Sequence, residues 1–120
     1  MCFYTVLLDK ALISLSHINN VIAVGLMGGG IIILDGATGS QVATLSGHTD
    51  QVRSLTFSSD GTSLVSGSDD KSVKLWDMQT GRIAKTFTGH TCYVFSVSIS
   101  ADHAMIASGS YDETMCLWDV

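Results

Sequence analysis

The chain contains no proline, and only 14% of its 120 residues are charged. Set against 46% hydrophobic residues, that scarcity excludes the low-hydropathy, high-charge composition of a disordered segment. Basic residues are scarcest: six Lys or Arg, scattered as Lys10, Arg53, Lys71, Lys74, Arg82 and Lys85, stand against eleven Asp or Glu. A surface with a formal net charge of -5 repels a phosphate backbone, so no nucleic-acid partner is expected. Cysteine is limited to Cys2, Cys92 and Cys116, an odd number with no close pairing. Buried free thiols in a reducing, cytoplasmic setting are the reading this supports. No C-x-x-C or H-x-x-x-H spacing occurs, so neither a structural metal nor another cofactor is expected.

Targeting signals are missing as well. No basic residue precedes the first apolar run of MCFYTVLLDK, which excludes a secretory signal, and there is no N-x-S/T acceptor. One stretch raises a membrane anchor as an alternative, because Ala11 to Leu34 carries no charged residue. Its apolar core, VIAVGLMGGGIIIL, is shorter than the roughly 18–20 residues a membrane helix needs and is broken by four glycines. The β-branched residues and the glycine cluster suit two buried strands joined by a turn.

What is present is a repeat. Gly47-His48 recurs as Gly89-His90 and Trp76-Asp77 as Trp118-Asp119, each pair 42 residues apart. Residues 47–78 and 89–120 align without a gap at 14 identities in 32 positions, where chance gives about two. The same offset reaches back to Asp35, to Thr38-Gly39 and to Gly25. Three repeats therefore fill a single domain, residues 1–120: about 5–46, 47–88 and 89–120. The first is degenerate, with Val6, Val24, Gly28 and Leu34 where the others have His, Ser, Asp and Trp. The third ends before a fourth strand.

Each unit reads as strand throughout. VRSLTFS (52–58) alternates up to the Asp60-Gly61 turn, SLVSGS (63–68) follows, then VKLWD (73–77), Gln79-Thr80-Gly81 and RIAKTF (82–87). Val52 and Leu55 are both apolar yet three apart, which predicts a bulge that brings both to the buried face. The fold class is all-β, built as propeller blades of four antiparallel strands. GLMGGG (25–30) lacks a following helix to hold a phosphate and reads as a worn turn. Asp69-Asp70 has no further ligands spaced for calcium.

Gly-His, about 28 residues, then Trp-Asp: this pattern resembles the WD-repeat β-propellers, closely over 47–120 and more weakly over 5–46. The wording of the repeats, LDGATGSQVATLSGHTDQVRSLTFSSDGTSLVSGS, is further similar to the arrays of fungal NACHT-type signalling proteins. The resemblance implies two structural hydrogen-bond tetrads, His48–Ser66–Asp70–Trp76 and His90–Ser108–Asp112–Trp118. The residue chemistry agrees: a buried indole N–H needs an acceptor, the Ser hydroxyl can accept it and donate onward to His, and Asp can take the other ring N–H. The alternative is a Ser/His/Asp hydrolase, but a nucleophile belongs to one site and lies on a sharp elbow, whereas this set occurs once per repeat.

Antiparallel strands send loops to alternate faces. The turn entering the first strand and the turn between the second and third share one face, which carries Asp50, Gln51, Arg53 and Asp69, then Cys92, Tyr93, Phe95 and Tyr111. In the resembled family that face docks proteins and peptides, and aromatic and Arg side chains dominate interface energies. The bland reading buries Phe95 at the bulge and leaves the tyrosines as ordinary loop residues. The expectation is a non-catalytic interaction module, a scaffold or ligand-sensing part of a larger signalling protein. Propellers have about four to eight blades, so three are expected to belong to a larger ring or to close by self-association.

Overall fold

The structure is a computed structural model and describes residues 11–120. Val6, and the N-terminal strand that CFYTVLL could contribute to a ring, lie outside the described residues. Among the described residues there is no helix, and eleven strands run in chain order. They are β1 (Leu12–Ile18), β2 (Val21–Leu26), β3 (Ile31–Asp35), β4 (Gln41–Leu45), β5 (Val52–Phe57), β6 (Ser63–Ser68), β7 (Val73–Asp77), β8 (Arg82–Phe87), β9 (Val94–Ile99), β10 (Met105–Ser110) and β11 (Met115–Asp119). They form three antiparallel meanders, β1-β2-β3-β4, β5-β6-β7-β8 and β9-β10-β11. Among the described residues the third sheet has three strands. Residues 11–34, the alternative membrane segment, are the strands β1 to β3, and GLMGGG forms the end of β2 and its turn.

The sheets stack with their first strands, β1, β5 and β9, side by side. Two apolar layers hold the stack. Ala23, Ile31 and Ile33 of the first sheet meet Val52, Leu55, Phe57, Leu64 and Trp76 of the second. Val65, Val73 and Leu75, on the other side of the second sheet, meet Val94, Val97 and Ile106 of the third. Period-2 alternation along β6 and β7 supplies both layers at once, and each fully buried aliphatic side chain contributes about 1.5–3 kcal/mol. Polar ties cross the same gaps, from the Ser14 hydroxyl to the Val52 carbonyl and from the Val97 N–H to the Ser54 hydroxyl.

The expected bulge is present and recurs. Pairing slips between Val52 and Ser54 in β5, and in β9 Ser96 faces Gly109 while Val94 faces Ser110. The extra residues are Arg53 and Phe95. Val52 and Leu55 consequently both point inward, while the two bulge residues are released toward the loop face. Phe95 is 46% exposed, so the bulge does not bury it.

Candidate functional site: two hydrogen-bond tetrads and an aromatic loop face

Each tetrad begins with a glycine. A Cβ on Gly47 would lie 3.1 Å from the Trp76 ring and 2.7 Å from the end of the Ile83 side chain, so the glycine lets the loop before β5 lie closely on the indole. That approach delivers His48 to the interior. The Trp76 indole N–H donates to the Ser66 hydroxyl over 2.8 Å. Ser66 Oγ and His48 Nε2 are 2.6 Å apart, and His48 Nδ1 lies 2.8 Å from Asp70 Oδ2. With its oxygen already accepting from Trp76, Ser66 donates to Nε2, which leaves Nδ1–H to donate to Asp70. Asp70 also takes the Thr49 N–H and both the N–H and the hydroxyl of Ser72.

The third repeat repeats the geometry. Trp118 donates to Ser108 over 2.8 Å, Ser108 meets His90 Nε2 at 2.8 Å, and His90 Nδ1 lies 3.0 Å from Asp112. Thr91 and Thr114 stand where Thr49 and Ser72 stand. In the first repeat Val24 and Leu34, in the Ser and Trp positions, join Leu26 and Ile32 in an apolar cluster. Replacing both partners of a buried hydrogen bond with apolar groups is close to neutral, which is why that repeat can lose the set and keep its sheet.

The electrostatics follow from these contacts. Burial alone would raise the Asp70 carboxyl, but hydrogen bonds from His48 and Ser72 outweigh it and hold the group well below the usual carboxylate range. The Thr114 hydroxyl bond, aided by the Thr91 and Thr114 N–H groups and by His90, lowers Asp112 against its own desolvation. At the β5–β6 turn the Thr62 N–H and hydroxyl and the Ser58 hydroxyl bring Asp60 down to about 2.

Chemically, Ser66–His48–Asp70 has the order of an acyl-transfer relay, but Ser66 is 0% exposed, lies within β6 and has its oxygen committed to Trp76. A nucleophile needs an open approach for the carbonyl it attacks, and this hydroxyl has none. Among the described residues no three His, Cys, Asp or Glu side chains converge on a metal-sized site. Asp69, beside Asp70, is engaged by Arg53.

Above the tetrads the loop face gathers the other sequence candidates. Arg53 grips Asp69 with two parallel bonds, Nε to Oδ1 at 2.6 Å and Nη2 to Oδ2 at 3.0 Å. The Arg53 guanidinium also lies 5.7 Å from the Tyr93 ring centroid, across the gap between the second and third sheets. Tyr93 meets Tyr111 edge-on at 6.1 Å, and Phe95 leans on Tyr111 at 5.1 Å. The Tyr111 N–H donates to the Tyr93 carbonyl and the Asp69 N–H to the Gln51 carbonyl, so the same bond ties the two loops in both repeats. Asp50 is exposed and its carbonyl holds the Ser68 hydroxyl, while the Cys92 carbonyl holds Ser110. Ser68, Ser110, Thr49 and Thr91 escaped the sequence reading, although the first two and the last two are identities of the gapless repeat alignment.

Comparison with known proteins agrees with this architecture. The pattern of the WD domain, G-beta repeat family matches residues 39–77 and 81–119. "WD repeat and SOCS box-containing protein 1" of Takifugu rubripes is 47% identical over 60 residues, 49% of this chain and 14% of that protein. "WD repeat-containing protein SL1-17" of Schistosoma mansoni is 47% identical over 58 residues, 48% of the chain and 19% of the relative. "Vegetative incompatibility protein HET-E-1" of Podospora anserina is 56% identical over 34 residues, 28% of the chain and 2% of the relative, in line with the fungal style of the repeats. The chain thus spans less than a fifth of the length of these relatives. Two matched repeats, two closed tetrads and three stacked meanders place the chain in the WD-repeat family.

Proposed function

We propose that the chain is a non-catalytic WD-repeat module that docks a protein or peptide on its loop face, as the scaffold or ligand-sensing part of a larger cytoplasmic signalling protein. The observation that carries this reading is the exposed ring cluster Tyr93, Phe95 and Tyr111, held on hydrogen-bonded loops over a rigid sheet stack. Preorganised aromatic groups lose little freedom on binding, which is what makes them interface anchors. The relatives' names support it at a coarser level: they are WD-repeat proteins, and one group joins the repeats to a SOCS box in the same chain. The test is affinity capture from an extract of the source cells, comparing the wild type with a Tyr93→Ala/Phe95→Ala/Tyr111→Ala variant of matched unfolding midpoint. Proteins held by the wild type should be lost to the variant. A folded variant that keeps the same proteins would remove the loop face from the account.

A further inference from the structure

The ring cluster is not electrically neutral ground. Position for position, the third repeat puts Phe95 and Tyr111 where the second has Arg53 and Asp69, each pair 42 residues apart. In the second repeat those positions hold a closed ion pair. In the third they hold two touching rings, 46% and 59% exposed, with no cation on them among the described residues. The chain itself shows what such a ring takes, for the Arg53 guanidinium already lies over Tyr93. The surroundings point the same way. Among the described residues the loops of this face carry Asp50, Asp69, Asp70, Asp112 and Glu113 against Arg53 and Lys71, an excess of three negative charges. Arg53 is cancelled locally by its two bonds to Asp69.

We propose that Tyr93, Phe95 and Tyr111 form a receptor for a cationic side chain, Arg or Lys, presented by a basic peptide segment of the partner. This deepens the docking reading and rests on it. The negative faces of aromatic rings attract a cation, and carboxylates around the cluster steer basic segments in and turn acidic ones away. Single-stranded nucleic acid would also find rings to stack on, but its phosphates meet the same excess of negative charge. An aliphatic side chain would gain the apolar contact and nothing from the charge.

The test is a titration of the isotope-labelled chain, followed by amide and aromatic NMR, with a short Gly/Ser peptide carrying one arginine. The same peptide with citrulline, the neutral isostere, is the control, and a glutamate peptide and an oligothymidylate are competitors. The arginine peptide should shift Tyr93, Phe95 and Tyr111 resonances and bind at least about fivefold more tightly than the citrulline peptide, less so as salt rises. Tyr111→Leu, which keeps an apolar side chain and removes a ring face, should weaken binding at least about fivefold. Phe95→Leu serves the same purpose where Tyr111→Leu does not fold. Equal binding of arginine and citrulline, shifts elsewhere on the molecule, preference for the acidic peptide or oligonucleotide, or no binding by any peptide would each overturn the proposal. The extract capture above separates the two failures: proteins lost with the rings while arginine goes unbound mean a docking face with another specificity.

Discussion

At the scale of single residues, a small set of hydroxyls and carboxylates carries the local order. Asp60 and Asp102 each cap a β-turn by accepting a serine hydroxyl two residues back and an N–H two residues on. Asp70 and Asp112 close the tetrads. All four carboxyls sit below their ordinary range, Asp60 at about 2. A carboxyl depressed in the folded state contributes stability that is complete above its unfolded pKa of about 4 and lost as pH falls through the folded value. Chemical denaturation should therefore give a level carboxylate contribution from pH 5 to 7 and a steep loss between about pH 4 and 2. Asp70→Asn should be less stable at neutral pH and flatter in acid. Stability that held or rose below pH 4 would contradict this assignment.

At the scale of elements, most of the fold was legible because it is written more than once. The strands from 52 to 87 follow from alternation between turn residues, and the bulge follows from Val52 and Leu55 standing three apart. The tetrads were legible through the resemblance to the WD-repeat family, carried over at the 42-residue offset, and what a buried indole needs agrees with them. The contact of Arg53 with Tyr93 was not, because it crosses between sheets whose spacing no local pattern encodes. The exposure of Phe95 was legible as one of two readings: it was placed on the loop face, while the bulge by itself left open which way its extra residue would turn. Packing between elements has its own signature in Gly25, Gly67 and Gly109. A Cβ on Gly67 would lie 2.7 Å from Val94 and 2.9 Å from Val97, whereas on Gly109 the nearest atom is Phe95 at an ordinary 3.6 Å. Gly67→Ala should destabilise by about 1–3 kcal/mol through overpacking, and Gly109→Ala should be nearly neutral. Urea unfolding of the two variants checks this, and equal losses would mean that the inter-sheet contact is not what selects glycine.

At the scale of the molecule, the three sheets are not equivalent. The outward side of the third sheet leaves Leu117 59% exposed, although its counterpart Leu75 is 6% exposed under the next sheet. Met115 and Val73 differ in the same way. We propose that this side closes on a further blade, in a longer protein or in a second copy, since contiguous apolar surface beside paired strands favours association. Light scattering should then show the isolated 12.7 kDa chain associating. A strictly monomeric chain at high concentration would count against closure by a second copy.

The second sheet is the hub of the whole, with Trp76 and Leu64 in one apolar layer and Val65, Val73 and Leu75 in the other. Its Ser–His–Asp–Trp set holds this hub together. The direct measurement is the thermal unfolding midpoint of Ser66→Ala against wild type. Losing the hydroxyl strands the Trp76 N–H and His48 Nε2 in the interior, at about 2–4 kcal/mol, so one cooperative transition lowered by about 6 °C or more is expected. A midpoint unchanged within a degree would contradict it.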